Sequence, residues 1–213
     1  MKHRQIIWDF NGTLLDDVAE TLEATNVILA RHGVPMLDDA DAYRRVFGFP
    51  VIDYYEKIGL ARENFELYAD EWVAEYNRRA PRAGLYPGCR EALAFFRSAG
   101  CVQYLLSATE REMLAYQLAP LGIAAYFAEI IGQDDTRAHG KLAAAVEWSK
   151  KVRLDAALLV GDSLHDAEVA AAIGADCVLL ACGHQDRARL EATGCRVFDT
   201  VFAMLHAAEK GEL

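Results

Sequence analysis

The sequence lacks any apolar run that approaches the roughly 20 residues needed to cross a bilayer as a helix. Its opening stretch, MKHRQIIWDF, also lacks the long apolar core of a secretory signal peptide. Both absences argue against a membrane partner and against secretion. We therefore expect a cytoplasmic protein.

Cysteine is scarce, and basic residues are fewer than acidic ones. The five cysteines form no CxxC pair, so the sequence indicates neither a disulfide framework nor a zinc site. Lysine and arginine total 22 against 32 aspartates and glutamates, which gives a formal net charge of −10. This balance argues against a nucleic-acid partner, because phosphate backbones are bound by clustered Lys and Arg. A small anionic substrate stays open, since a local pocket can be positive on a negative protein.

The 213 residues are 53% hydrophobic and 25% charged, which is typical of a globular protein with a sizeable core. From about residue 88 onward, short apolar runs alternate with helical stretches. The runs have strand length and are apolar nearly throughout, as parallel strands buried on both faces are. The predicted strands are 101–106, 126–132, 156–160, 176–180 and 195–198, and the helices that alternate with them are 90–100, 110–122, 141–152 and 166–175. This alternation predicts an α/β fold with a doubly wound, Rossmann-like parallel sheet.

The first predicted strand, QIIWDF at 5–10, is followed by a long stretch of different character. Residues 16 to 83 have helical periodicity throughout and are too many for a loop in a compact domain. The Pro and Gly of RAGLYPG, 82–88, are typical of a boundary. We predict a core of residues 1–15 plus 84–213 and an inserted all-helical subdomain of residues 16–83.

The residues that follow the predicted strands carry the chemistry. In open α/β sheets, ligands bind beyond the carboxyl ends of the strands, so these positions meet at one edge. They offer a carboxylate nucleophile, a hydroxyl, a lysine and an acidic pair, which phosphoryl transfer through an aspartyl-phosphate requires. The candidates are Asp9, Asn11, Thr13, Ser107, Lys141, Asp162 and Asp166.

Each candidate has a physical role in such a reaction. A carboxylate that attacks a phosphate dianion needs a cation against repulsion, and Mg²⁺ suits because it binds carboxylates, carbonyls and phosphate. Asp9 and Asp162 can provide carboxylates to the metal. Lys141 and Ser107 can hold the phosphoryl oxygens and stabilise the transition state.

Four segments resemble the motifs of the haloacid-dehalogenase-like hydrolase superfamily. They are DFNGTL at 9–14, LLS at 105–107, HGK ending at Lys141, and GDSLHD at 161–166. The helical insertion is similar to the small helical cap of that family, and LYPG at 85–88 resembles its phosphoglycolate-phosphatase-like members. The first and fourth motifs carry the resemblance, since an apolar strand ending in Ser and a lone Lys are weak signals.

The resemblance implies a Mg²⁺-dependent phosphatase that acts on a small phosphorylated metabolite. It implies that Asp9 is the phosphorylated nucleophile and a metal ligand, with Asp162 and the main-chain carbonyl of Asn11 as further ligands. Asp166 is implied beside the metal, and the cap is implied to close over the site and read the leaving group. The sequence gives no signal for an oligomeric state.

The resemblance also implies roles for the polar side chains around the nucleophile. Ser107 and Lys141 are implied to bind the transferring phosphoryl group, and Thr13 to support the loop. In the cap, Arg44 and Arg45 are candidates for substrate binding, because they would supply the positive charge that the acidic chain lacks.

Asn11 departs from the family pattern. Phosphatases of the family have Asp there as general acid and base, and an amide has no proton to transfer near neutral pH. General acid-base help is worth about 10²- to 10⁴-fold. Three explanations stay open: a natural branch with another proton source, a phosphotransferase or slow-turnover protein with a persistent phospho-Asp9, and an inactive variant or non-catalytic phosphate-binding protein. Haloacid dehalogenation is disfavoured, because it needs no Mg²⁺ site.

Two histidines and two aspartates have alternative readings. His139 and His184 are candidates for the missing proton donor, although solvated loop histidines are commoner. Asp16 and Asp17 follow the first motif directly. We expect them to be an N-cap and hinge for the first cap helix rather than catalytic groups.

Overall fold

The computed structural model describes residues 2–134 and 140–213. Six of its strands form one sheet in the order β5-β4-β1-β6-β7-β8, in which every neighbouring pair is parallel. These strands are β1 (Gln5–Trp8), β4 (Val102–Glu110), β5 (Glu129–Gln133), β6 (Ala157–Gly161), β7 (Asp176–Leu180) and β8 (Arg196–Phe198). All six predicted strands are therefore confirmed.

The register of β1 determines which residues meet at the carboxyl edge of the sheet. Trp8 pairs with Leu105 of β4 on one side and with Val160 of β6 on the other. The chain thus leaves β1, β4 and β6 at neighbouring points, and the strand order reverses direction at β1. This is the place where open α/β sheets bind their ligands.

Helices cover both faces of this sheet, as the doubly wound prediction requires. Alternating residues of β1 enter different clusters: Ile6 packs with α5 and α10, and Ile7 packs with α7 and α8. The core helices are α5 (Cys89–Ser98), α6 (Arg111–Leu118), α7 (Leu142–Ser149), α8 (Leu164–Ile173), α9 (Arg187–Glu191) and α10 (Val201–Glu209). The predicted α/β fold is confirmed, while α9 and α10 were not predicted.

Four further helices lie in the segment between the first strand and α5. They are α1 (Val18–Arg31), α2 (Ala40–Val46), α3 (Val51–Lys57) and α4 (Phe65–Arg79), and all four lie within the segment 16–83 that was predicted to be helical. Their buried apolar side chains form a cluster of their own. We call residues 16–83 the cap, and the division of the chain into core and cap stays a prediction. Among the described residues, no helix has the length and hydropathy of a membrane span.

A short antiparallel ribbon joins the two ends of this helical segment. It consists of β2 (Leu15–Asp16) and β3 (Gly84–Leu85), with Leu15 opposite Leu85. The amide of Tyr86 also donates to the carbonyl of Leu14 at 3.0 Å. The ribbon lies at the predicted boundaries 15/16 and 83/84 and holds the entry and exit of the cap together.

Candidate active site

Four predicted charged residues meet beyond the carboxyl ends of β1 and β6. One carboxylate oxygen from each of Asp9, Asp162 and Asp166 lies within 4.8 Å of the others. The Lys141 ammonium forms ion pairs with Asp9 and with Asp166, the latter at 2.6 Å, and donates to the carbonyl of Leu106 at 3.1 Å. We call these four residues the acidic cluster.

The acidic cluster contains three carboxyl groups and one ammonium group, and all four side chains are buried. Burial raises the pKa of Asp162 to about 8, and the neighbouring carboxylates of Asp9 and Asp166 add to this rise. Burial also raises the pKa of Asp9, although Lys141 opposes it. For Lys141, burial acts to lower the pKa, but Asp166 and Asp9 outweigh burial and raise it. Lys141 therefore stays charged. Its one positive charge faces three carboxyl groups, so a second cation would stabilise their charged forms.

Asp166 is held by the first turn of α8. One of its oxygens accepts from the amides of Asp162 and Ser163 at 3.1 and 3.0 Å and from the Ser163 hydroxyl at 2.6 Å. Ser163 and Asp166 form a reciprocal capping box, which starts the helix. Burial acts to raise the pKa of Asp166, but Lys141 and the Ser163 hydrogen bond outweigh it, so the pKa is lowered.

Asp162 is oriented by the loop after β1 and by the loop after β7. It accepts from the Thr13 hydroxyl at 3.3 Å and from the amide of His184 at 2.5 Å. Gly12 lies against it with φ of 76°, and a Cβ at this position would overlap with the side chains of Asp162 and His184. Only glycine allows this close approach of backbone to carboxylate.

The donor set of the acidic cluster suits a hard divalent cation. The atoms that could bind a metal are carboxylate oxygens, which Mg²⁺ prefers. Among the described residues, no Cys or His side chain belongs to this group. Buried carboxylates that outnumber their cationic partner are costly unless a further positive charge offsets them. Asp9, Asp162 and Asp166 are therefore the residues able to hold a metal.

Ser107 lies within a strand and not after one, because β4 continues to Glu110. Its buried hydroxyl accepts from the amide of Thr109 at 3.0 Å, and its carbonyl accepts from the Gln133 side chain at 3.2 Å. The side chain lines the same cavity as Asp9 and Lys141. The structure thus brings Ser107 to the acidic cluster, as the sequence predicts.

The Asn11 amide is held by hydrogen bonds from both of its polar atoms. Its nitrogen donates to Asp17 at 2.8 Å and to the Tyr76 hydroxyl at 3.0 Å. Its oxygen accepts from the Thr109 hydroxyl at 2.7 Å. Tyr76 also donates to Asp17 at 2.6 Å and accepts from Gln117 at 2.9 Å. Asn11 is therefore the centre of a network that joins the core to α4 of the cap.

Asp17 contacts the site through its side chain, which the sequence prediction of an N-cap or hinge residue did not include. It stands at the N-cap position of α1, but its side chain makes no capping hydrogen bond. The buried carboxylate accepts from the Gly12 amide at 3.0 Å and pairs with His184 Nε2 at 3.2 Å. The signal in the sequence was the amide of Asn11, because an amide donates to a neighbouring carboxylate and a second carboxylate cannot.

Asp17 and His184 shift the pKa of one another. Burial acts to raise the pKa of Asp17, but His184, Tyr76 and Asn11 outweigh it and lower the pKa. Burial acts to lower the pKa of His184, but Asp17 outweighs it and raises the pKa to about 9. The other ring nitrogen of His184 lies 3.0 Å from the Tyr43 hydroxyl. His139, the second histidine considered from the sequence, lies outside the described residues.

The structure does not bring Arg44 and Arg45 to the cavity. Arg44 donates to the carbonyls of Gly183 at 2.8 Å and Cys182 at 3.1 Å, in the loop after β7. Arg45 is exposed, and neither side chain lines the cavity with the acidic cluster. Arg44 therefore fastens α2 to the core, which leaves its charge unavailable to a substrate.

The fold agrees with comparisons to known proteins. Residues 6–180 match the model of the haloacid dehalogenase-like hydrolase family. The chain belongs to this family. A phosphoglycolate phosphatase of Mesorhizobium japonicum is 32% identical over an alignment that covers 85% of this chain and 84% of that protein.

Two solved structures share the fold. A haloacid dehalogenase-like hydrolase of Streptococcus pneumoniae has a TM-score of 0.83 at 19% identity, covering 97% of this chain and 99% of that one. Protein tyrosine kinase A of Mycobacterium tuberculosis has a TM-score of 0.78 at 24% identity, covering 96% and 97%. At these identities the likeness concerns the fold alone. The predicted family and fold are confirmed.

Proposed function

We propose that this family member is a phosphomonoesterase that hydrolyses a small phosphorylated metabolite through phospho-Asp9 with Mg²⁺ bound. The observation that carries the proposal is the acidic cluster, in which Asp9 contacts Lys141 at the ligand-binding edge of the sheet. The phosphatase class also agrees with the relative in Mesorhizobium japonicum. We add no nucleic-acid partner, in keeping with the net charge of −10.

Each side chain at the site has its own role in phosphoryl transfer. Asp9 attacks the phosphorus atom, and Lys141 and Ser107 hold the phosphoryl oxygens, while Thr13 keeps the carboxylate of Asp162 in place. Asp9, Asp162, Asp166 and the main-chain carbonyl of Asn11 would hold Mg²⁺. When bound, Mg²⁺ supplies positive charge that offsets repulsion between the carboxylates and the phosphate.

Because residue 11 is Asn, we predict that the phospho-enzyme is hydrolysed slowly. Its amide transfers no proton, and its nitrogen is already used by Asp17 and Tyr76. Loss of general acid-base help costs about 10²- to 10⁴-fold in rate. This engagement of Asn11 also favours the second candidate function, a phosphotransferase or slow-turnover protein in which phospho-Asp9 persists.

Hydrolysis of an aryl phosphate tests the proposal. We expect turnover with Mg²⁺, none with a chelator, and a loss of at least about 10³-fold in Asp9→Asn. Asp38→Asn is the matched control, because Asp38 is exposed on the cap and the chemical change is the same. Turnover in chelator, or unchanged turnover in Asp9→Asn, would contradict the mechanism.

Rapid-quench kinetics separate the two candidate functions. A phosphoryl burst on Asp9 followed by slow release supports a transferase or a slow phosphatase, and transfer to added alcohols then identifies the transferase. Phosphate binding without any phospho-enzyme would instead indicate a non-catalytic protein.

A further inference from the structure

The cap side of the active-site cavity is formed by aromatic rings. Phe47, Tyr54, Tyr55 and Phe65 follow one another along this wall, with centroid distances of 5.2, 5.7 and 5.7 Å between successive rings. Trp72 of α4 completes the wall and stacks on Tyr76 at 4.8 Å. A leaving group that extends from Asp9 into the cap therefore meets ring faces and edges.

This wall carries no cationic side chain. The cap segment 16–83 is described throughout, and none of its lysines or arginines lines the cavity. Among the described lining residues, the basic groups are Lys141 and two histidines, all from the core. Lys141 is already paired with two carboxylates, and His184 is paired with Asp17. His165 is paired with Glu168 at 3.1 Å, so a carboxylate on the leaving group would lose its water here and gain no cationic partner among the described residues.

A neutral polar group on the wall is left without a partner. Tyr54 is 4% exposed, and its hydroxyl makes no hydrogen bond of good geometry among the described residues, although Thr25 lies beside it. Thr25 itself accepts from the Trp72 indole at 3.2 Å. Buried hydroxyls are costly when unpaired, so the Tyr54 hydroxyl offers a hydrogen bond to a polar atom of a ligand. One hydrogen bond from a neutral hydroxyl does not offset the burial of a charged group without a cation.

The volume of the cavity limits the size of the leaving group. It measures about 150 Å³. Apolar cavities of about this size hold a benzene molecule. Because Asp9, Ser107 and Lys141 line the same cavity, part of this volume belongs to the phosphoryl group, so the enclosed space left for a leaving group is at most about one ring.

We propose that the substrate is a phosphate monoester whose leaving group is uncharged, mainly apolar and about one ring in size. This inference rests on the proposed function, because it takes the phosphoryl group to lie at Asp9 and the rest of the substrate to point into the cap. It predicts a substrate other than phosphoglycolate, the compound in the name of the relative in Mesorhizobium japonicum, because glycolate carries a carboxylate and this wall consists of aromatic rings.

Binding of two small phosphonates to the full chain tests the inference. Benzylphosphonate and phosphonoacetate share a phosphonate and a methylene, and they differ in a phenyl ring against a carboxylate. With Mg²⁺ present, we expect calorimetry to show at least about tenfold tighter binding of benzylphosphonate, from burial of the ring and the unpaired carboxylate. Equal affinities, or tighter binding of phosphonoacetate, would overturn the inference.

A charge introduced into the wall should reverse this selectivity. Val73 of α4 lines the cavity, and the next residue, Ala74, is exposed and does not. We expect Val73→Lys to bind phosphonoacetate at least about fivefold tighter and benzylphosphonate weaker, while Ala74→Lys leaves both unchanged. Equal effects of the two variants would mean a long-range charge effect and would contradict the inference. The comparison on the unsubstituted chain decides the matter if Val73→Lys does not fold.

Turnover separates this inference from the proposed function. Benzyl phosphate and phosphoglycolate are both esters of primary alcohols, so their leaving groups differ mainly in charge and shape. Hydrolysis of both with phosphoglycolate preferred would overturn the inference and leave the phosphatase standing. Tighter binding of benzylphosphonate without hydrolysis of either ester would overturn the phosphatase and support the selectivity of the cavity.

Discussion

Replacing Asn11 by Asp tests whether the carboxylate of Asp17 requires an amide at this position. The Asn11 nitrogen lies 2.8 Å from Asp17, so Asn11→Asp would place two carboxylate oxygens about 3 Å apart. Their repulsion would be about 5 kcal/mol at an effective dielectric constant of 20. One carboxyl would therefore take up a proton, which costs at most about 4 kcal/mol at pH 7 for a group with an ordinary pKa near 4.

We accordingly expect Asn11→Asp to lower the free energy of unfolding by about 2 to 4 kcal/mol at pH 7. The folded pKa of the shared proton would lie above its unfolded value. The penalty should therefore be small below pH 4 and grow as pH rises, by about 1.4 kcal/mol per pH unit, until the folded pKa is passed. Chemical denaturation at pH 5 and pH 7, with a chelator present, measures this difference.

Two further variants show whether the effect arises from Asp17. The pair Asn11→Asp and Asp17→Asn exchanges the two groups, so the double variant should be at least about 2 kcal/mol more stable than the sum of its single variants implies. Asn26→Asp is the control, because the Asn26 amide donates to a carbonyl at 2.9 Å and the change removes that donor. A loss below about 0.5 kcal/mol in Asn11→Asp, or strict additivity in the double variant, would refute the reasoning.

Three further results are expected from the same structure. Lys141→Met should lower the free energy of unfolding by about 3 to 5 kcal/mol in chelator, because two buried carboxylates lose their cation, and added Mg²⁺ should restore part of it in denaturation curves. Arg44→Ala should cost about 1 to 3 kcal/mol by loss of two hydrogen bonds to carbonyls. The kcat/KM of Arg44→Ala should stay within about twofold of the original value, whereas a rise in KM would mean that Arg44 binds the substrate. Arg45→Ala should change neither the free energy of unfolding nor kcat/KM. His184 has its pKa raised to about 9 from 6.5, so its pairing with Asp17 contributes stability fully below pH 6.5 and loses it as pH rises through 9. His184→Gln should remove this pH dependence in chelator, and its persistence would rule out the pair as the cause.

The strands of the core were predictable because each contains a short apolar run, and the central strands β1 and β6 are buried almost throughout. The edge strand β5 was predicted from the same signal, although most of its residues are exposed or half-buried. Most of the elements that were missed are short and lack such a signal; the exception is α10, which has nine residues and is capped by Thr200. Strands β2 and β3 have two residues each and pair across the whole cap segment, so no local pattern indicates them. Helix α9 has five residues, too few for a helical period to be recognised. The end of β4 was placed too early, because polar residues after Leu106 continue the strand.

The arginines of α2 illustrate a limit of reasoning from residue type. Neighbouring residues on a helix point about 100° apart, so adjacent side chains have different surroundings. Arg44 lies against two carbonyls of the core, while Arg45 is exposed. Positive charge in a cap sequence does not indicate substrate binding until the orientation of the helix on the core is known.

The sequence by itself determined the acidic cluster. Asp9 and Asp162 follow strands that are neighbours in the sheet, and parallel strands end at a common edge, so their carboxylates meet once the fold class is known. Only the tertiary structure decided the surroundings of Asn11 and the character of the cavity. These depend on how the cap helices lie over the core. Helices α1 and α4 bring Asp17 and Tyr76 to Asn11, and the segment from the end of α2 through α4 brings aromatic rings to the leaving-group side. Charge and burial at a site come from side chains far apart in the chain, and their meeting is a property of the packed fold.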